Sequence, residues 1–310
     1  MKRSIGIYII MGACLLLLIA FRGYIYRAYD RLTRQDKEIK FTYKNEYFLD
    51  YKYQYIKNVD DIKLENKNDV LNLYYTIINT GLDNFDFYCP DDYLTCIDDV
   101  IEITYNQEYL SDINGFVHPF NSFDTIETTY DTMNKVHVSI VKTYTDKEIE
   151  EINEKVDEII ENVVTDDVHQ KELIKTIHDY IIENSKYDVQ RADHNVIKYA
   201  SNTAYGVLFE GYGICSGYAD TMSIFLNRYN IPNFKIASEN HVWNAVKLDG
   251  EWYHLDLTWD DPITDNDKDV VLHDYFLITS DELKNLDKTQ HGYDENVYME
   301  MKDTKVDKTL

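Results

Sequence analysis

Three residue types able to carry out covalent acyl chemistry fall in one stretch between residues 203 and 262: Cys215, His241 and Asp256. All three tryptophans of the chain, Trp243, Trp252 and Trp259, lie there too. The segment GYGICSGYADTMSIFLNRYNIP reads as a glycine-rich loop entering a helix. Ile214, Tyr218, Met222, Phe225 and Tyr229 have helical spacing, and Pro232 lies just past the expected end. Cys215 is thereby placed at or near a helix N-terminus, where backbone N–H groups and the helix dipole favour the thiolate nucleophile. The same spacing also fits a cysteine buried in a core.

The next segment separates these readings. HVWNAVKLDGEWYHLDLTW reads as a hairpin about Asp249-Gly250, a strong two-residue turn signal. A two-residue loop pairs Leu248 with Glu251, and that register sets Trp243 opposite Asp256 and His241 opposite Thr258. Side chains alternate, so His241, Trp243 and Asp256 share a face, with Asp256 diagonal to His241. A one-residue slip would send Asp256 to the other face. His254 lies opposite Ala245 on the same face and is the competing histidine; it ranks below His241 because Asp256 is its near neighbour on one strand, not a cross-strand partner. A cysteine at a helix start plus a His–Asp pair is the arrangement of an activated nucleophile: the imidazole takes the thiol proton and the carboxylate orients the imidazole.

These motifs resemble the bacterial branch of the transglutaminase-like superfamily, whose core resembles papain. The nucleophile context G-x-C-x-G-Y-A is matched by Gly213 to Ala219, the H-x-W-N strand by His241 to Asn244, and D-x-T-W-D by Asp256 to Asp260. The preceding IHDYIIENSKYD is also similar, and the likeness spans roughly residues 168–290. The resemblance implies an α+β fold in which the helix bearing Cys215 packs on an antiparallel sheet bearing His241 and Asp256. It implies a Cys215–His241–Asp256 catalytic triad. It also implies cysteine-dependent acyl transfer on a carboxamide or peptide bond, released by an amine as a crosslink or by water as hydrolysis. Animal members resemble G-Q-C-W at the nucleophile, where Ser216 stands here instead of Trp, and they carry extra β domains for which this chain has no room. The alternative within the family is a catalytically silent binding or scaffold module.

Further elements are needed to position this core. Thr145-Asp146-Lys147-Glu148 is a capping box, and the helix it opens carries Ile149, Ile152, Val156, Ile159, Ile160 and Val163 on one stripe. We place a domain boundary here, giving a transglutaminase-like domain over 146–310. A second helix is expected over 167–184, with Leu173, Ile174, Ile177, Tyr180 and Ile181 inward. Residues 41–145 read as a small α+β unit of unassigned role, with a helix over 68–78 and strands over 97–105 and 135–144. His118 in that unit reads as a packing histidine.

Residues 4–21 form an apolar run between Arg3 and Arg22, at the short end of a membrane span. We read residues 1–22 as an uncleaved signal anchor and 23–40 as a polar basic stalk. Basic residues flank the run on both sides, which slightly favours a cytoplasmic body. The cysteines argue the other way. Cys89 and Cys96 are close enough in sequence for a turn to join them, and Cys215 stands alone, which suits an oxidising exterior with one reactive thiol. The expectation is therefore a membrane-anchored protein with its catalytic domain outside the cell.

The net charge is −25 over 310 residues, and residues 1–37 hold seven basic and only two acidic groups, so the rest is more acidic still. Such a surface repels phosphate backbones, which excludes nucleic acid as a partner. Protein or peptide substrates, including cell-wall peptide, are expected. No cofactor and no metal is expected. Asp265, Asp267 and Asp269 have calcium-loop spacing, but Val270 stands where Gly is needed and Phe276 where Glu is needed, so Asp260 to Asp269 read as a solvated acidic loop.

Overall fold

In the computed structural model, the structure describes residues 39–165, 168–263, 270–286 and 289–302, together with 17, 19, 21–25 and 29. The anchor expected over 1–22 lies almost wholly outside the described residues. Among the described residues no helix is long and apolar enough to cross a membrane.

The chain opens with a two-stranded antiparallel pair, β1 (Ile39–Lys40) and β2 (Asp61–Ile62). Helix α1 (Lys67–Asn79) follows, closed at its start by a capping box between Asn66 and Asp69. Every residue of α1 from Val70 to Asn79 is buried, because the helix is wrapped on all sides. Strand β3 (Asn84–Tyr88) then leads to α2 (Cys96–Tyr105) and α3 (Gln107–Gly115). A disulfide between Cys89 and Cys96 ties the end of β3 to the start of α2, with the Cα atoms 5.7 Å apart. Strands β4 (Phe123–Tyr130) and β5 (Lys135–Lys142) complete an antiparallel sheet in the order β3-β5-β4.

Residues 97–105 are helical, not the strand expected from their β-branched content. Cys96, Val100, Ile103 and Thr104 are its buried residues, and that spacing is a helical stripe. Burial of this stripe outweighs a β propensity of a few tenths of a kcal/mol per residue. Strand β5 does follow its alternation, with Val136, Val138 and Ile140 buried.

Helix α4 (Asp146–Val163) starts at the expected capping box, with Thr145 and Glu148 each satisfying the other's backbone N–H. Helix α5 (Gln170–Glu183) buries Leu173, Ile174, Ile177 and Ile181 as its spacing requires, and also His178 and Ile182. A short parallel pair, β6 (Lys186–Tyr187) with β7 (Tyr212–Gly213), brackets the six-residue α6 (Val189–His194) and delivers the chain to α7 (Cys215–Arg228). Strands β8 (Asn233–Ala237), β9 (Val242–Leu248) and β10 (Glu251–Leu255) form an antiparallel sheet in the order β10-β9-β8. Two short helices, α8 (Leu257–Asp260) and α9 (Ser280–Leu286), follow.

The β9–β10 hairpin has the expected register, Leu248 with Glu251 through Asn244 with Leu255. Asp249 at φ 52° and Gly250 at φ 93° form its turn, both in the left-handed region, as a type I′ turn requires. The pairing stops at Leu255, however. Asp256 leaves the ladder, sends its N–H to the Tyr275 carbonyl and caps α8, so the Trp243–Asp256 pair expected from register extension does not form.

This sheet is a wall with two covered faces. Phe234, Ile236, Trp243, Ala245 and Trp252 join one apolar cluster with Tyr53, Val70 and Phe116 of the N-terminal half. Val246, Leu248 and Leu255 join a second cluster with α4, α5 and α7. Asn244 points to the α7 side and donates to Ala219 O and Ser223 Oγ, at 3.0 and 2.9 Å. Lys235 does the same from β8: its Nζ meets Asp220 Oδ1 of α7 at 2.5 Å, and Tyr144 donates to Asp220 Oδ2 at 2.7 Å. Both ions are buried.

Removing one partner of such a pair strands the other charge in the core. Asp220→Ala is therefore expected to lower unfolding free energy by about 3–5 kcal/mol, while Asp220→Leu combined with Lys235→Met recovers most of that loss. Urea denaturation of the three proteins checks this. A loss from the single variant no larger than that of the double variant would contradict it.

Candidate active site

Cys215 is the first residue of α7, with Ile214 at the N-cap in extended conformation. The approach to this helix end is held by close backbone contacts. Ile214 N–H donates to Ser201 O at 2.7 Å, and Ser216 Oγ donates to Asn202 O at 3.0 Å. Gly217 has to be glycine here, since a Cβ would lie 2.3 Å from Ser201 O. Cys215 is partly exposed and carries a free thiol.

His241 precedes β9 by one residue and is buried; its ring stacks on Trp243 with centroids 5.6 Å apart. Its Nε2 lies 2.5 Å from Asp256 Oδ2. The Cys215 thiol lies near enough to the ring to help raise the His241 pKa. With Nε2 held by Asp256, Nδ1 is the ring nitrogen not engaged by the carboxylate. The three residues singled out in the sequence are thus brought together in the order Cys215, His241, Asp256.

Asp256 is buried and receives four hydrogen bonds. Thr258 N–H and Trp259 N–H reach Oδ1 at 2.9 and 3.2 Å, and His241 and His291 reach Oδ2 at 2.5 and 2.8 Å. The contact with His241 is made, but by a route the extended hairpin did not foresee: the carboxylate sits at the N-cap of α8, where the helix end adds two donors.

The electrostatics follow. Burial raises the cost of charge on both groups. For His241 the Asp256 carboxylate and the hydrogen bonds to Asp256 and Cys215 overcome it and push the pKa up to about 10. For Asp256 the two histidines overcome it and hold the pKa down to about 2. The pair is therefore charged across the neutral range.

His254 does not compete. It accepts from Trp243 Nε1 at 3.0 Å and meets Ser280 Oγ at 3.0 Å. Burial, followed by the nearby His291, drives its pKa down to about 3, so it is a neutral packing group. His118 behaves likewise: it accepts from Phe120 N–H at 3.1 Å, and burial lowers its pKa to about 3.

Two residues at the site were not singled out from the sequence. His291 is the second imidazole on Asp256; no motif surrounds it, and it lies 35 positions away from its partner. Tyr187 pairs with Gly213 across β6–β7, beside the entry to Cys215. Burial, then the charges of Cys215, Asp193 and Asp256, raise its pKa to about 12. Its only sequence signal is its place in SKYD. The acidic loop also needs correction. Asp260 is fully buried, accepts from Tyr275 N–H at 3.0 Å and meets His178 Nε2 at 3.2 Å, while Asp265, Asp267 and Asp269 lie outside the described residues.

The charged pair makes stability depend on pH. His241 rises from 6.5 to about 10 on folding, so its contribution is complete below about pH 6.5 and is lost as pH rises toward 10. Asp256 falls from 3.8 to about 2, so its contribution is complete above about pH 4 and is lost as pH falls toward 2. Denaturation of the native protein and of a His241→Ala/Asp256→Asn double variant should differ most between about pH 4 and 6.5, the difference shrinking on both sides. A difference that does not change with pH would contradict the charged pair.

Residues 157–257 match a family model described as the transglutaminase-like superfamily, about one third of the chain. No curated protein matches the sequence. Among solved structures, one described as a TGase is similar at 16% identity and TM-score 0.34, covering 47% of this chain and 46% of that one. A second, a candidate cysteine protease from Cytophaga hutchinsonii, is similar at 11% identity and TM-score 0.27, covering 43% and 61%. This chain thus spans about half the length of the first and under two thirds of the second. The family match contains Cys215, His241 and Asp256, and the protein carries a transglutaminase-like superfamily domain on a mixed α/β fold.

Proposed function

We propose that the protein is a cysteine-dependent acyltransferase or hydrolase acting on carboxamide or peptide bonds of protein or peptide substrates. The observation that carries this reading is the buried, hydrogen-bonded His241–Asp256 pair, with the partly exposed Cys215 thiol near enough to act on the His241 charge. His241 takes the thiol proton. Sγ attacks the substrate carbonyl carbon and the carbonyl π electrons move to oxygen. The Cys215 backbone N–H, unpaired within α7 because it is the first helical residue, is a donor for that oxyanion. As the intermediate collapses, His241 gives its proton to the departing ammonia or amine, and a thioester remains. An amine or water then adds to the thioester, with His241 taking its proton, and the thiolate leaves again.

Asp256 keeps the imidazole oriented through both steps, and His291 and the α8 amides keep Asp256 oriented in turn. The acceptor decides between crosslinking and hydrolysis. Membrane attachment through the apolar run 4–21 and a place at the cell surface belong to the same proposal. The Cys89–Cys96 disulfide supports an oxidising compartment, where surface proteins and wall peptides are the reachable substrates.

Incubation with a glutamine-bearing protein and a fluorescent primary amine, with ammonia release measured in parallel, tests the reaction. Cys215→Ala is expected to abolish both signals, and His241→Ala to lower them about 10²–10⁴-fold. Label incorporation identifies transfer, and ammonia or peptide release without label identifies hydrolysis. Full activity in Cys215→Ala would overturn the assignment.

A further inference from the structure

Away from the triad, His178, Asp179 and His273 each bring one ligand atom to a common point, all within 4.8 Å of one another. His178 Nδ1 and His273 Nε2 lie 2.8 and 2.7 Å from the same oxygen, Asp179 Oδ1. We infer that these three side chains form a binding site for a divalent transition metal of the zinc class. None of the three touches Cys215 or His241 through any contact described above, so the site is distinct from the acyl-transfer machinery.

Two imidazoles and one carboxylate suit Zn²⁺, Co²⁺ or Ni²⁺ and not the oxygen-seeking Ca²⁺ or Mg²⁺. Three protein ligands with a solvent-facing side match a zinc ion that keeps water as its fourth ligand. The Asp179 and His273 side chains are 23% and 37% exposed, which gives the ion a path in. His178 is fully buried and its far nitrogen, Nε2, is held by Asp260 Oδ2 at 3.2 Å. A carboxylate behind a ligating imidazole fixes the tautomer and leaves the other nitrogen's lone pair for the metal. Phe276 packs edge-on against both rings, with centroids 5.2 Å from His178 and 5.8 Å from His273. Lys175 occupies the other carboxylate oxygen, Asp179 Oδ2, at 2.5 Å, which leaves Oδ1 for the ion.

The fit requires the two imidazole nitrogens, now within 4.8 Å of each other, to settle at the spacing of a tetrahedral ion. Ligand atoms about 2.0–2.1 Å from a tetrahedral ion stand about 3.3 Å apart, so the contacts to Oδ1 would open by about half an ångström. Ion entry replaces the hydrogen bonds now made to Oδ1 and releases their protons.

The placement couples the ion to the segment that carries Asp256. Leu272 N–H donates to Asp260 O at 2.9 Å, Tyr275 N–H to Asp260 Oδ1 at 3.0 Å, and Asp256 N–H to Tyr275 O at 3.2 Å. An ion joining His273 to α5 clamps the strand of chain from which these bonds come.

Titration of the chelator-treated full chain with Co²⁺, followed by visible absorption, tests the site. One Co²⁺ per chain is expected, with ligand-field bands and no thiolate charge-transfer band. Zn²⁺ is expected to displace it and to raise the melting temperature. His273→Ala and Asp179→Asn should each weaken binding by roughly tenfold or more, while Cys215→Ala keeps it. His273 is surface-exposed, and an unchanged metal-free melting temperature confirms that its variant folds. Absence of Co²⁺ bands, binding unchanged in His273→Ala, or binding lost in Cys215→Ala would overturn the proposal; the last result would put the metal on the catalytic group.

Discussion

The arrangement around Cys215 depends on one buried carboxylate. Asp256 is removed from water, which by itself would penalise its charge by several kcal/mol. Four donors offset that penalty: two backbone amides at the start of α8 and two imidazoles, from His241 and His291. These donors come from three parts of the chain, the adjacent Thr258 and Trp259 amides counting as one. The carboxylate therefore fixes the end of β10, the start of α8, the residue before β9 and the segment around residue 291 relative to one another. His241 inherits both its orientation and its charge from this point.

The sheet supplies the other constraint. Its two faces are covered by different halves of the protein, with Phe234 and Trp252 against Tyr53 and Phe116, and with Val246 and Leu248 against the helices. Lys235 and Asn244 reach across to α7 and set its position against β8 and β9 through the pair with Asp220 and the bonds to Ala219 and Ser223. Gly217 allows the residues 201–203 to lie against the first turn. The N-terminus of α7, and with it Cys215, is consequently positioned against the sheet whose central strand, β9, begins just after His241. A cysteine on one element and a histidine on another keep a fixed separation only if both elements are anchored in this way.

Much of this was legible from residue order. The Asp249-Gly250 turn dictated the hairpin register because only residues tolerating positive φ make that turn. The Thr145–Glu148 capping box marked the start of α4, and the spacing after Gly213 marked α7. What escaped were contacts that have no local signature. Residues 97–105 carry enough β-branched side chains to look extended, yet their buried set has helical spacing once the disulfide and the sheet define an inside. Asp256 left its strand because an N-cap and a second histidine offered it better partners than the ladder did. His291 and Asp260 meet their partners only after the chain has closed on itself, so no periodicity in the sequence could announce them.

The central claim is that His241 and Asp256 make Cys215 a working nucleophile. The most direct test is the rate of alkylation at Cys215 as a function of pH, read by intact mass on the native protein and on His241→Ala. The account predicts a single fast-labelling site at Cys215 and a strong loss of its rate, with a changed pH profile, in His241→Ala. Slow labelling whose rate and pH profile are unchanged by His241→Ala would contradict it and leave the domain as a non-catalytic module.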